Sequence, residues 1–176
     1  MRRLTCLLAL GITAIAALAQ APAPANPVTT AARQIAQRRG NDLVAAAQEM
    51  PAGKYGFKPT PAQLSYGMLM AHIANSNQFL CSALGGAERG AARASDSDSP
   101  DVLVKKLQES FAACTEALAK LGDRQLGEEV MLFRGRQDTK AAALLELTSD
   151  WADHYAAAAM YLRLNGLLPP TAKPKP

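Results

Sequence analysis

The chain has 176 residues, enough for one domain of ordinary size and too few for two independent catalytic domains. Apolar residues make up 49%, charged residues 19% and aromatic residues 5%, a globular composition that, with its abundant alanine, favours packed helices over a β-sandwich. The formal net charge is +4. Four positive residues, Arg2, Arg3, Lys173 and Lys175, lie outside the predicted body, so the body itself is neutral. A neutral body argues against a nucleic-acid partner.

Residues 1–19 have the features of a secretory signal peptide. Arg2 and Arg3 supply a positive start, residues 4–17 form an uncharged apolar run, and Ala17-Leu18-Ala19 places the cleavage site before Gln20. The alternative is a membrane anchor, but the apolar run is shorter than the ~20 residues that a span requires. We therefore expect an exported protein, periplasmic or secreted, that keeps no stable membrane anchor after cleavage.

Two predicted helices follow a flexible, proline-rich leader at residues 20–27. The first helix runs from about residue 28 to residue 50 and stops at Pro51. The second begins at Thr60-Pro61-Ala62-Gln63, a capping box with proline at the first helical position. It is expected to end near Gly85, where a long polar loop begins.

Two further predicted helices complete a body that spans residues 28–170. The third helix starts at Ser99-Pro100-Asp101 and ends at Gly122, and a short hairpin is expected around residues 130–134. Asp138 or Thr139 caps the fourth helix, which ends at Asn165 and Gly166. The lysine- and proline-rich residues 171–176 are predicted to be a disordered tail.

The loop lengths predict an all-α fold, a four-helix bundle with up-down-down-up topology. A short connector makes helices 1 and 2 antiparallel, whereas about fourteen residues between helices 2 and 3 can run back along the bundle at ~3.3 Å per residue. We therefore expect a long crossover between helices 2 and 3.

The positions of the cysteines help to distinguish a parallel from an antiparallel arrangement of helices 2 and 3. Cleavage of the signal peptide leaves Cys81 and Cys114, which in an oxidising compartment form either a disulfide or two buried thiols. In an antiparallel hairpin they would be offset by ~15 Å of helix rise, whereas a disulfide needs Cα atoms within about 7 Å. A disulfide would therefore favour parallel helices 2 and 3.

The sequence has two histidines, His72 and His154, and both lie on predicted helices. Asp150 precedes His154 by one helical turn, so the two side chains can approach the same point. Imidazole nitrogen and carboxylate oxygen are common ligands of divalent metals, and His72 could add a third ligand across the bundle. The alternative reading is that each histidine is hydrogen-bonded without any metal.

Four stretches of the sequence resemble the DinB-like family. They occur in the family's order and are Lys54-Tyr55-Gly56-Phe57-Lys58-Pro59-Thr60-Pro61, Ala71-His72-Ile73-Ala74-Asn75-Ser76-Asn77, Asp150-Trp151-Ala152-Asp153-His154-Tyr155, and Tyr161-Leu162-Arg163-Leu164-Asn165-Gly166 with Pro169-Pro170. The resemblance implies a four-helix bundle with a long crossover. It also implies a divalent metal held by a histidine of helix 2 and an H-x-x-x-H pair of helix 4.

The match to the family's metal ligands is incomplete. His72 matches the first ligand and His154 the last, but Asp150 stands where the family has histidine. The family often has Arg-Gly-Gln after the last histidine, and this chain has Tyr155-Ala156-Ala157. Aspartate hardens the site, and the set of His72, Asp150 and His154 suits zinc, nickel, iron or manganese.

Two classes of function follow from these observations. The first is a metal-dependent hydrolase or transferase for an unidentified small molecule, with Glu146 or Asp153 as a candidate base. The second is a metal-free module for ligand binding, structure or dimerisation, in which Asp150 and His154 form only a hydrogen-bonded pair. Because the family often dimerises, we also expect a homodimer, which sedimentation measures directly.

Overall fold

The computed structural model of the chain describes residues 25–86 and 93–174. The predicted signal peptide and leader residues 20–24 lie outside the described residues, as do the last two residues of the predicted tail. Among the helices of the described ranges, none combines the length and the apolar character that a membrane span needs.

Four long helices and one small hairpin make up the fold. They are α1 (Pro27–Glu49), α2 (Tyr66–Ala83), α3 (Pro100–Lys120), β1 (Glu129–Met131), β2 (Gln137–Thr139) and α4 (Lys140–Leu164). β1 and β2 pair in antiparallel fashion, with Val130 opposite Asp138. The predicted all-α four-helix fold is confirmed.

Helices α1 and α2 lie diagonally across the bundle, because each packs mainly against α3 and α4. Gly67, at the start of α2, lies beside Leu103, at the start of α3, since a Cβ at position 67 would be 3.4 Å from Cδ1 of Leu103. The two helices therefore start side by side and run parallel. Tyr161, near the end of α4, donates its hydroxyl to the carbonyl of Leu64, just before α2. Helix α4 is thus antiparallel to α2, and the up-down-down-up topology is confirmed.

A disulfide joins Cys81 of α2 to Cys114 of α3, with the Cα atoms 5.0 Å apart. This separation lies within the ordinary range for disulfides. It is also consistent with the parallel arrangement, in which the two cysteines come to nearly the same height along the bundle.

The predicted start of the second helix is wrong. The Thr60 hydroxyl donates to Oε1 of Gln63, and the Gln63 amide to the Thr60 carbonyl, in an isolated turn. Helix α2 begins at Tyr66, where Ser65 Oγ accepts from the amide of Met68. The reason is tertiary: the amides of the first two helical residues donate to carbonyls of the connector, Phe57 and Tyr55, so the chain must fold back before the helix starts.

The sequence predicts that the body of the protein ends at Pro170, but the folded part extends beyond that residue. Pro170–Ala172 form a short 3-10 helix. The hydroxyl of Tyr155 donates to Oγ1 of Thr171 at 2.9 Å and accepts from the Thr171 amide at 3.0 Å. This segment also contacts α1, so it packs against both α1 and α4.

A buried polar bridge links three helices beside the candidate site. Trp151 Nε1 donates to Asn77 Oδ1 at 2.6 Å, and Asn77 Nδ2 donates to Ser110 Oγ at 3.0 Å. Trp151 and Asn77 are both fully buried, so each donor needs its partner. The bridge fixes the part of α4 that carries Asp150 against α2.

Candidate metal centre

The antiparallel contact of α2 and α4 brings the two histidines together. The His72 and His154 rings lie 4.9 Å apart, centroid to centroid, and are inclined by 53°. His72, Asp150 and His154 each offer a ligand atom, and these atoms all lie within 4.8 Å of one another. The structure therefore places at one point the three residues that the sequence nominated.

The Asp150 carboxylate has one occupied and one free oxygen. Oδ1 lies 3.2 Å from Nδ1 of His154. Oδ2 is buried, and within the described residues it has no hydrogen-bond partner. A buried carboxylate oxygen without a partner is unfavourable. A cation bound between α2 and α4 would satisfy it.

The protonation of the His154 ring follows from its backbone contact. Nδ1 lies 2.7 Å from the carbonyl oxygen of Asp150. Since a carbonyl oxygen can only accept, Nδ1 carries the hydrogen, and in the neutral ring the lone pair is on Nε2. Metal-binding histidines commonly donate their other N–H to a carbonyl or a carboxylate in this way.

The two histidines have pKa values shifted in opposite directions. Partial burial of the ring, together with the neighbouring His154, lowers the pKa of His72 below its usual 6.5, although the Asp150 charge opposes this. Burial also acts to lower the pKa of His154, but its contacts with Asp150 and the charge of Asp153 outweigh burial and raise that pKa. His72 is thus the more readily deprotonated of the two, and a metal competes with a proton more strongly at His154 than at His72.

The two candidate bases do not join this cluster of ligand atoms. Glu146 forms an ion pair with Arg136 of the hairpin, and it lines a groove on the side of α4 that faces α1. Asp153 is exposed and acts on His154 only through its charge. In the described part of the chain, neither carboxylate is grouped with the three candidate ligands.

A cavity of about 460 Å³ opens beside His72. Its wall includes Asn75 and Phe79 of α2, Arg93 of the crossover and Phe133 of the hairpin. A larger cavity, of about 740 Å³, lies between α1 and α3 and contains none of the three candidate ligands in its wall. The smaller cavity was missed in the sequence analysis because its wall combines three separate segments that no local pattern connects.

The family model for the DinB superfamily matches residues 34–158, which is more than half of the chain. This chain belongs to the DinB superfamily. The match confirms the family resemblance and includes the first three of the four motifs. It also covers α2 and α3 completely, together with both histidines.

Several crystal structures share the fold of this DinB-superfamily chain. A DinB-like protein from Bacillus cereus aligns with a TM-score of 0.68 at 17% identity, over 80% of this chain and 95% of its own. A DinB-like protein from Bacillus subtilis aligns with a TM-score of 0.59 at 23% identity, over 76% of this chain and 92% of its own.

A mycothiol-dependent maleylpyruvate isomerase also aligns, with a TM-score of 0.60 at 14% identity, over 73% of this chain and 59% of its own. At these identities the likenesses establish a common fold. No curated protein matches this chain in sequence.

Proposed function

We propose that this DinB-superfamily protein is exported and binds a divalent metal ion between α2 and α4 through His72, Asp150 and His154. The observation that carries the proposal is the buried Oδ2 of Asp150, which has no hydrogen-bond partner in the described residues. The carboxylate to which it belongs is grouped with the two histidines. The His154 tautomer adds support, because its Nδ1–H is already committed to a carbonyl.

Two nitrogens and one oxygen suit zinc, nickel, iron or manganese. Three protein ligands leave coordination positions open, and a metal bound there would polarise a substrate or activate water. His72 stands between this centre and the neighbouring cavity, since it belongs to both. The centre is therefore suited to a hydrolase or a transferase that acts on a small molecule, and the fold shared with an isomerase favours a substrate of that size.

A metal-free binding module is the second candidate function. It is favoured by the direct contact of Asp150 Oδ1 with His154 Nδ1 at 3.2 Å, because a histidine–aspartate pair needs no metal. This pair leaves Oδ2 unsatisfied among the described residues, and for that reason we prefer the metal site.

Export is supported by the signal-peptide pattern and by the disulfide. Disulfides persist in oxidising compartments and are rare in the cytosol, and the structure joins Cys81 to Cys114. Sequencing of the mature N-terminus should begin at Gln20. A mature protein that starts at Met1 would contradict export by signal cleavage.

The metal site is tested by retention of metal. The mature chain is stripped with a chelator, dialysed separately against Zn²⁺, Ni²⁺, Fe²⁺ or Mn²⁺, and analysed for bound metal by elemental analysis. We expect a single ion per chain for at least one of these metals. Asp150→Asn should weaken retention by roughly tenfold or more, because it removes a negative ligand.

Glu116→Gln is the matched control, since it removes an exposed carboxylate of α3 that is not grouped with the three candidate ligands. It should retain metal as the wild type does. Retention should also weaken at lower pH, because the metal must displace a proton from His154. Absence of every metal, or equal retention by Asp150→Asn and wild type, would show that the site is not a metal centre.

A further inference from the structure

The crossover is attached to α2 one turn beyond His72. Asn75 Nδ2 donates to the carbonyl of Ala94 at 2.9 Å, and the Ala94 amide donates to Asn75 Oδ1 at 2.9 Å. This pair of bonds holds the backbone next to Arg93 against the helix that carries His72. A position fixed at two points by one side chain is much better defined than one in a free loop.

A second attachment comes from α3. Lys106 Nζ donates to the carbonyl of Arg93 at 3.1 Å and forms an ion pair with Asp98 at 2.7 Å. Asp98 in turn accepts from the amide of Ser95 at 2.9 Å. The backbone of Arg93 is therefore fixed from two helices, while its side chain is exposed and lines the cavity beside His72.

The guanidinium of Arg93 makes neither an ion pair nor a hydrogen bond with any described residue. An arginine presents a planar set of donors that matches a carboxylate in a bidentate way. Among the described residues, the wall of this cavity has one arginine and no lysine, a set that fits a carboxylate better than a doubly charged phosphate.

An aromatic pair forms another part of the wall. Phe79 of α2 and Phe133 of the hairpin stack with centroids 3.9 Å apart and planes inclined by 16°. Phe133 nevertheless stays 44% exposed. Arg134, the next residue, has a φ of 60°, a left-handed conformation that is uncommon for a residue other than glycine. The tip of the hairpin thus presents an apolar surface to the cavity.

We propose that this cavity binds a small apolar carboxylic acid, with its carboxylate on Arg93 and its apolar group against Phe79 and Phe133. The proposal rests on the metal function above in one respect, because His72 would place the bound acid beside the metal. The volume of about 460 Å³ is typical of sites for small molecules.

Calorimetric titration with three probes tests the proposal. The mature, disulfide-intact chain is titrated with 3-phenylpropionate, with neutral 3-phenylpropanol and with acetate, first after chelator treatment and then with zinc added. We expect 3-phenylpropionate to bind at least about tenfold more tightly than either other probe, because only it uses both the charge and the aromatic wall. Equal affinities for the three probes would overturn the proposal.

Two substitutions assign the contacts. Arg93→Gln should weaken 3-phenylpropionate binding by about tenfold while leaving 3-phenylpropanol unchanged. Arg124→Gln, which removes an exposed arginine after α3 that does not line the cavity, is the matched control and should bind as the wild type does. Phe133→Ala should weaken both aromatic probes, and because the residue lies outside the buried core the fold should persist. If Arg93→Gln and Phe133→Ala both bind like the wild type, the proposal is wrong.

The failure of this proposal is distinguishable from failure of the metal function. Retention of metal without binding of the acid would refute the carboxylate site and leave the metal centre standing. Binding of the acid to the chelator-treated chain, dependent on Arg93 and Phe133 but without any metal retention, would support the carboxylate site and refute the metal centre.

Discussion

Addition of a binding metal to the chelator-treated protein should raise its thermal unfolding midpoint, and His154→Ala should abolish this increase. A ligand that binds only the native state stabilises it by about 2.7 kcal/mol at a concentration 100 times its Kd. For a domain of this size, that corresponds to roughly 5–10 °C. Removal of the imidazole leaves two of the three ligand side chains, so the gain should disappear.

The pH of this measurement matters because His154 also pairs with Asp150. The folded-state pKa of His154 is raised, so the pair stabilises the metal-free fold below pH 6.5 and this contribution is lost as the pH rises through the raised value. Unfolding is therefore best followed at a pH above that raised value, where His154→Ala disturbs the metal-free protein least.

The effect of the metal should shrink as the pH falls, because protons then compete for His154. Glu116→Ala is the control that keeps all three candidate ligands and the charges around His154, and its shift should equal that of the wild type. The metal centre would be refuted by a full shift in His154→Ala, or by no shift with any of the four metals.

Simultaneous replacement of Cys81 and Cys114 by alanine should lower the free energy of unfolding by about 3–4 kcal/mol. The two residues are separated by 33 positions, and opening a loop of that length gives the unfolded chain an entropy gain of this size. Urea denaturation of the double variant and the wild type, both without reductant, measures the difference.

The double substitution removes both the covalent bond and the packing of the sulfur atoms, and Cys114 is fully buried. Reduction of the wild type breaks the bond but keeps both sulfur atoms, so it measures the effect of the bond alone. With dithiothreitol, the wild type should lose most of the same stability, whereas the double variant should not change. The prediction would be contradicted if the free energies of unfolding of oxidised and reduced wild type differed by less than about 1 kcal/mol, because closing a loop of this length should contribute more than that.

Much of the fold could be predicted from local signals. Thr139 caps α4 and Ser99 caps α3, each accepting a hydrogen bond from an amide in the first turn, as such residues usually do at helix starts. The same logic failed at Thr60, because the connector forms hydrogen bonds with the first turn of α2 and delays the helix to Tyr66. A capping pattern reports what a segment favours in isolation, and here tertiary contacts outweighed it.

The candidate site was predictable in composition but not in detail. The spacing of Asp150 and His154 on one helix, with His72 across the bundle, was enough to nominate the three residues. The free Oδ2 of Asp150 and the carbonyl contact of His154 depend on side-chain and backbone positions that spacing does not determine. Nothing in the sequence around Arg93 indicated that it lines a cavity. Its place there depends on contacts from Asn75 and Lys106, which are distant in sequence.

The Cys81–Cys114 bond closes a covalent ring that contains the whole crossover from α2 to α3. A protease that cuts any one peptide bond inside this ring leaves the protein as a single molecule, with the α1–α2 half and the α3–α4 half still tethered to each other. Such a nick would be visible only after reduction. In a compartment rich in proteases, the bond would thus allow a cleaved bundle to stay assembled around His72 and His154.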